Sequence, residues 1–439
     1  MDITMTQQTH SEKQSFLNFI LEAFKKNFRQ YTMLIALAAI WLGFTFLTGS
    51  LFLSPRNLSN LFLQSSTTAV LSIGMTLILI AGYLDLSVGS VAGFIGALTA
   101  ILQVNFQFNT LTSILVALLV GVSIGAWHGF WIAYKKIPAF IVTLASMIAF
   151  RGALLGITGG RTIGPMLDSF KLLGQGYLPN ILYQPATKLD AGGQPLLDSF
   201  SSPITGFRSL LSGHFYEGDI PPFNDSTLII AVLCIFAFIY FQIKNRRSRI
   251  KYGFHVIPAK FEALRIGFFS LLIGSFFSIM VFYLGMPFAV LVVFGLGVLF
   301  MVITNNTVFG RHLYAMGGNM EAAKLSGINI RARILGVFIL MGALAAVAGM
   351  ILTARLNAAT TSAGQNFELD AISAAIIGGT STMGGVGTVF GSIVGALVMA
   401  SLDNGMSLMN LDITWQYMVK GLILLMAVWV DISTRKATR

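Results

Sequence analysis

Runs of about twenty apolar residues recur from Tyr31 to Val430, and that recurrence leaves few folds open to the chain. A helix that crosses roughly 30 Å of hydrocarbon needs roughly 20 mostly apolar residues, because each residue advances it about 1.5 Å. Only helix bundles and closed barrels can span a bilayer without stranding backbone polar groups. Barrel strands read as short alternating segments, whereas Thr32 to Phe46 and Leu111 to Ala133 are apolar on every face. The expected fold class is therefore an all-α integral membrane protein.

Composition excludes the obvious alternatives. Of 439 residues, 55% are hydrophobic and only 10% charged, too few to clothe a water-soluble globule of this size. The formal charge of +11 would suit nucleic acid, but the Lys and Arg residues sit in short loops between apolar runs. Enrichment of cytoplasmic loops in basic residues accounts for them, and no nucleic-acid partner is expected. Cys234 is the sole cysteine and lies inside an apolar run, so no disulfide or cysteine metal site is expected. His10, His128, His214, His255 and His312 show no metal spacing. No nucleophile, base and acid cluster points to a membrane enzyme.

Spans are expected near residues 31–48, 60–82, 86–104, 111–133, 138–158, 226–243, 266–284, 288–304, 334–354 and 413–431, about ten in all. Residues 367–402 are apolar but split by GGTSTMGGVG at 378–387, and read as two broken or re-entrant Gly-rich helices. The domain reading is a cytoplasmic tail (1–30), a transmembrane domain (31–434) and a second cytoplasmic tail (435–439). Lys135, Lys136, the run Lys244 to Lys251 and the loop 305–333 mark the cytoplasmic side, and ten crossings put both termini there. Residues 1–30 are polar and basic, which fits such a tail better than a cleaved signal peptide. The long segment 159–225 then falls outside, where its acids outnumber its bases; it reads as an accessory surface or as a disordered insertion.

Several features suggest a pathway or gate. Gly378, Gly379, Gly384 and Gly385 are denser than helix packing requires, and irregular backbone at membrane depth persists beside protein or water. SVGSVAGFIGAL at 87–98 resembles GVGTVFGSIVGAL at 385–397, either as in transporters built from repeats or as Gly-rich apolar helices resemble one another by chance. Asp85, with Ser87 and Gly89 after it, and Asp370 are intramembrane carboxylates; each reads as a polar lining or as a helix cap, the cap being favoured for Asp85. Arg151, Arg355 and Lys420 are candidate partners for these acids, with the pairing left open.

GRHLYAMGGNMEAAKLSGINIRAR, residues 310–333, has the chemistry of a docking element. Asn319 can cap a helix beginning near Met320, Glu321 suits its positive end and Gly327 supplies a stop. Ala322, Ala323 and Leu325 offer small apolar contacts to a groove in another protein. Glu321, Ala322, Ala323 and Gly327 together resemble the E-A-A-x-x-x-G loop of ABC importer permeases. YAMGGNMEAAKLSGI resembles the version in the ribose/xylose/galactose permease family, and so do NLSNLFLQSS at 57–66, LDLSVGS at 84–90, PAFIVTLASMIAFRG at 138–152 and ELDAISAAIIGGTSTMGGVGTVFG at 368–391. The likeness covers most of residues 30–434, and its closing stretch is most similar to the D-xylose branch.

That resemblance implies a permease subunit importing a monosaccharide, D-xylose by the C-terminal likeness, through the bacterial inner membrane by alternating access. It implies a homodimer in lipid, an ABC ATPase subunit below and a periplasmic sugar-binding protein above, with the Glu321 segment as ATPase-coupling helix. The Leu-Pro of the broader motif is absent, and the outer loop from about 180 to 225 is longer than the family's. The chain has no Gly-Lys dipeptide, hence no phosphate loop of its own, and no cofactor is expected. The alternative reading is a self-sufficient secondary transporter or channel, although ionisable residues deep in spans are sparse.

Overall fold

The computed structural model describes residues 28–189, 194–196, 203, 205–210, 215–217, 223–254, 256 and 258–436. The N-terminal tail through residue 27, residues 437–439, and His10, His214 and His255 lie outside these. Two compact units emerge: one from the described residues of Met1–Phe52, Gln64–Lys171 and Val293–Arg439, the other from Leu53–Leu63 and Leu172–Val292.

In chain order the helices are α1 (Phe28–Leu47), α2 (Pro55–Ile80), α3 (Val88–Val104), α4 (Thr110–Ala133), α5 (Ala139–Thr158), α6 (Asp168–Gln175), α7 (Asp225–Lys251), α8 (Ala259–Val281), α9 (Phe288–Asn306), α10 (Val308–Gly318), α11 (Met320–Leu325), α12 (Ile330–Leu356), α13 (Phe367–Ile377), α14 (Val389–Leu408) and α15 (Ile413–Lys436). Among the described residues nine helices are long and apolar enough to cross a bilayer, accompanied by two shorter apolar helices, Met33–Leu47 and Val88–Val104. Each of the ten expected spans coincides with a helix. The broken region is refined: α13 is a half-length helix of 11 residues, but α14 runs for 20 and is long enough to span. The two echoed segments both enter a helix after a non-helical break, at Val88 and at Val389. Their registers differ, because Val386 and Gly387, the counterparts of Val88 and Gly89, still lie in the break.

The first unit is organised around α12, which packs against α3 and α4. Glycines make this approach possible. A Cβ on Gly121 would sit 2.7 Å from that of Ala346, one on Gly342 would sit 2.8 Å from the Gly125 nitrogen, and one on Gly129 would meet Leu335 at 2.9 Å. Gly121, Gly125 and Gly129 are four residues apart and so form one stripe on α4. In lipid, where hydrophobicity does not drive helices together, such bare seams let van der Waals contact and backbone dipoles hold them. The first turn of α4 is capped by Asn109, whose Oδ1 accepts from the Thr112 amide at 2.8 Å.

The second unit pairs α7 with α8. Part of the segment expected to be an accessory surface or disordered is ordered: β1 (Tyr183–Thr187), β2 (Thr205–Ser209) and β3 (Phe215–Glu217) form an antiparallel sheet in that order, with Tyr183 opposite Ser209 and Gly206 opposite Glu217. The start of α7 anchors it. Asn224 caps the helix through Thr227 at 2.8 Å and donates to the Leu178 carbonyl at 2.9 Å, while Asp225 accepts from the amides of Ile181 and Leu182. Asp225, counted from sequence among the acids of segment 159–225, is thus buried and takes hydrogen bonds from backbone. Arg246 and Glu262 form an ion pair joining the far end of α7 to the start of α8.

Candidate functional site

The docking segment folds as its residue types dictate. Asn319 ends α10 and caps α11, its Oδ1 accepting from the Ala322 amide at 3.0 Å. Gly327 adopts φ +80°, which a side chain would resist, and the Ile328 amide returns to the Ala323 carbonyl at 3.2 Å, closing the helix. Ala323 turns inward at 5% exposure, whereas Glu321 and Ala322 face out and Leu325 is 87% exposed. Leu325 is thus an apolar side chain presented at the end of a capped helix.

The Gly-rich turn meets this segment directly. Tyr314 on α10 donates its hydroxyl to the Gly387 carbonyl at 2.8 Å, and the Gly385 amide donates to the carbonyl of Ile80, the last residue of α2, at 2.9 Å. Gly384 and Gly385 adopt φ +84° and +73°, and a Cβ on Gly385 would lie 2.9 Å from the Gly318 nitrogen. Gly317 is equally constrained, since a Cβ there would run into the Ile80 carbonyl and the Gly385 amide. Asp431 near the end of α15 holds the other side of the turn, accepting from the Ser381 hydroxyl and from the Thr382 amide and hydroxyl, each at 3.3 Å. Gly378 ends α13 against Gly391 of α14, and Gly379 takes φ +87°.

The other expected site residues lie apart from the turn. Asp85 is 2% exposed and accepts from the Ser87 amide at 2.9 Å and hydroxyl at 2.6 Å. Ser87 itself is the N-cap of α3, so Asp85 shapes the entry to that helix from two residues upstream. Gly89 gives the closest approach of α3 to Gly364 and Glu368. Asp370 on α13 pairs with Lys420 of α15 at 3.1 Å, and Lys420 also holds Asp403 of α14 at 2.8 Å. This resolves one open pairing; Arg151 instead donates to the Ala363 carbonyl at 2.9 Å. Asp403 was not singled out from sequence. An acid within the apolar run 389–408 was the available signal.

Residues 57–172 and 219–428 match the family model described as branched-chain amino acid transport system / permease component. The chain belongs to this family. Among its relatives, the xylose transport system permease protein XylH of Haemophilus influenzae is 41% identical over 93% of this chain and 98% of its own length. XylH of Escherichia coli is 40% identical over 93% of each chain, and the ribose import permease protein RbsC of Bacillus subtilis 30% identical over 87% of this chain and 86% of its own. No solved structure matches the chain. Membership in this permease family agrees with the helical architecture, and transport through the membrane is its activity.

Proposed function

We propose that the chain is the membrane-spanning subunit of an ATP-driven importer of a monosaccharide, D-xylose in the first instance, with nucleotide hydrolysis on a separate subunit. The observation that carries this reading is the capped, outward-facing α11 in a chain about 40% identical to permeases named for xylose over nearly its whole length. The family description mentions branched-chain amino acids, but the full-length relatives are named for pentoses, and they decide the substrate class.

On this reading two copies of the chain sit in the inner membrane, with α10 and α11, the basic loops and both termini in the cytoplasm. Leu325 and Glu321 enter a groove on the ATPase, and a periplasmic sugar-binding protein delivers cargo to the opposite face. ATP binding draws the docking helices together. Tyr314 and Gly317 pass that movement into the 378–387 turn, the inner gate, through Gly384 and Gly385. Asp85, Ser87 and Gly89 support the path where α3 begins.

Reconstitution in vesicles with the ATPase and a loaded binding protein tests it. Labelled D-xylose should accumulate only with ATP, and Glu321→Lys or Gly327→Pro should abolish uptake and stimulated ATPase while the chain still assembles. Full uptake by the chain alone would overturn the reading in favour of a carrier or channel.

A further inference from the structure

A cavity of about 260 Å³ opens in the first unit where α2, α12, α13, α14 and α15 converge. Its wall carries Asp370, Asp403, Lys420, Arg355, Gln416 and Tyr417. The volume falls just short of the range of about 300–1,000 Å³ that holds drug-sized molecules, and suits a ligand of about ten non-hydrogen atoms. Arg355 lies 25 residues along α12 from Ile330, about 37 Å of helix, so the cavity occupies the end of α12 remote from the docking segment. That length exceeds the hydrocarbon thickness of about 30 Å, which puts cavity and docking helix on opposite faces of a membrane.

The lining specifies a chemistry. Two carboxylates face one ammonium and one guanidinium, so the wall is rich in donors and acceptors yet formally neutral and offers an ion no net attraction. Asp403 lines the wall with a side chain that is 35% exposed, so its carboxylate can accept from a ligand hydroxyl. Gln416 uses its amide NH₂ on the Leu411 carbonyl at 3.0 Å, which leaves its carbonyl oxygen as a further acceptor. Tyr417, 46% exposed, and Phe367 add flat apolar faces. Groups that both donate and accept, on a small uncharged ring with one apolar face, describe a neutral monosaccharide.

We propose that this cavity is a transit site for a neutral monosaccharide, with Asp403, Gln416 and the Asp370–Lys420 pair taking its hydroxyls and Tyr417 its apolar face. The assignment rests on the permease reading and deepens it. Because Lys420 is already held by both acids, little of its bonding is available to the sugar. Binding is therefore weak, as a site that must release its cargo requires.

The test uses the complete transporter, with Cys234→Ser and Thr68→Cys in the permease; Thr68 lines the cavity and is half-buried. A cationic methanethiosulfonate should label the new thiol, and saturating D-xylose should slow the labelling at least fivefold while sucrose does not. Gln64→Cys, at the exposed rim, gives the same reading if Thr68→Cys does not assemble. Tyr417→Ala should raise the D-xylose concentration for half-protection at least fivefold. Labelling that D-xylose does not slow, or that sucrose slows equally, in a transporter whose unsubstituted form imports D-xylose overturns the site. If the unsubstituted transporter imports no monosaccharide, the permease reading falls instead, independently of the labelling result.

Discussion

The hydroxyl of Tyr314 reaches the carbonyl of Gly387 across 2.8 Å and joins α10, the helix preceding α11, to a turn 73 residues later in the chain. A hydrogen bond of this kind contributes about 1 kcal/mol net. Tyr314→Phe removes only the donor and keeps the ring, so the fold should persist. Coupling of ATP hydrolysis to uptake should drop about fivefold, read as sugar moved per ATP consumed in reconstituted vesicles.

Gly317→Ala tests the same junction by steric means. Its methyl group would meet backbone on two sides, the Ile80 carbonyl and the Gly385 amide, and backbone cannot rotate out of the way. Overpacking of this type costs about 1–3 kcal/mol or more. Purified protein should lose several degrees of thermal stability, whereas Gly318→Ala, with open space at its Cβ, should melt like the parent.

The Asn319 cap should be separable from the rest of the segment. Asn319→Ala forfeits the bond to the Ala322 amide at a cost of about 1 kcal/mol, and Asn319→Ser should restore most of it. Hydrogen exchange of the amides from Ala322 to Ser326 is the measurement, with faster exchange in the alanine variant alone.

Leu325→Asp should leave the permease intact, because an 87% exposed side chain has no interior to disturb. Co-purification of the ATPase should nonetheless fall at least tenfold. Retention of the partner at parental stoichiometry would remove Leu325 from the contact.

Lys420→Met leaves Asp370, 6% exposed, facing Asp403 without the cation between them. Breaking a buried pair from one side costs about 3–5 kcal/mol, reduced here because the Asp403 side chain is 35% exposed. Yield of folded protein should therefore collapse in Lys420→Met and partly recover in Lys420→Met combined with Asp370→Asn. Equal yields would show the pair to be dispensable.

What the sequence disclosed followed from local physics. Apolar runs located a helix at each of the ten anticipated spans, eight of them long and apolar enough to cross a bilayer, and the side-chain chemistry of Asn319 and Gly327 located both ends of the six-residue α11. Features set by distant parts of the chain stayed hidden. Nothing near Gly387 in sequence announces Tyr314, and Asp403 acquires its meaning from Lys420 in the next helix. The turn at 378–387 read as a break in a span, but its packing on Gly317 and Gly318 arises only when the chain folds back. The sheet between β1 and β3 was equally concealed, because three short strands without alternating apolar faces carry no periodic signal.

The glycine seam between α4 and α12 has a mechanical corollary. Side chains interposed between helices can swap rotamers and let one roll over its neighbour; main chain resting on main chain has no such slack. α12 is therefore a stiff beam, braced along its side, with the capped α11 next to one end and the polar cavity at the other. A push at Asn329 must arrive at Arg355 as displacement of the whole rod rather than be dissipated by bending on the way.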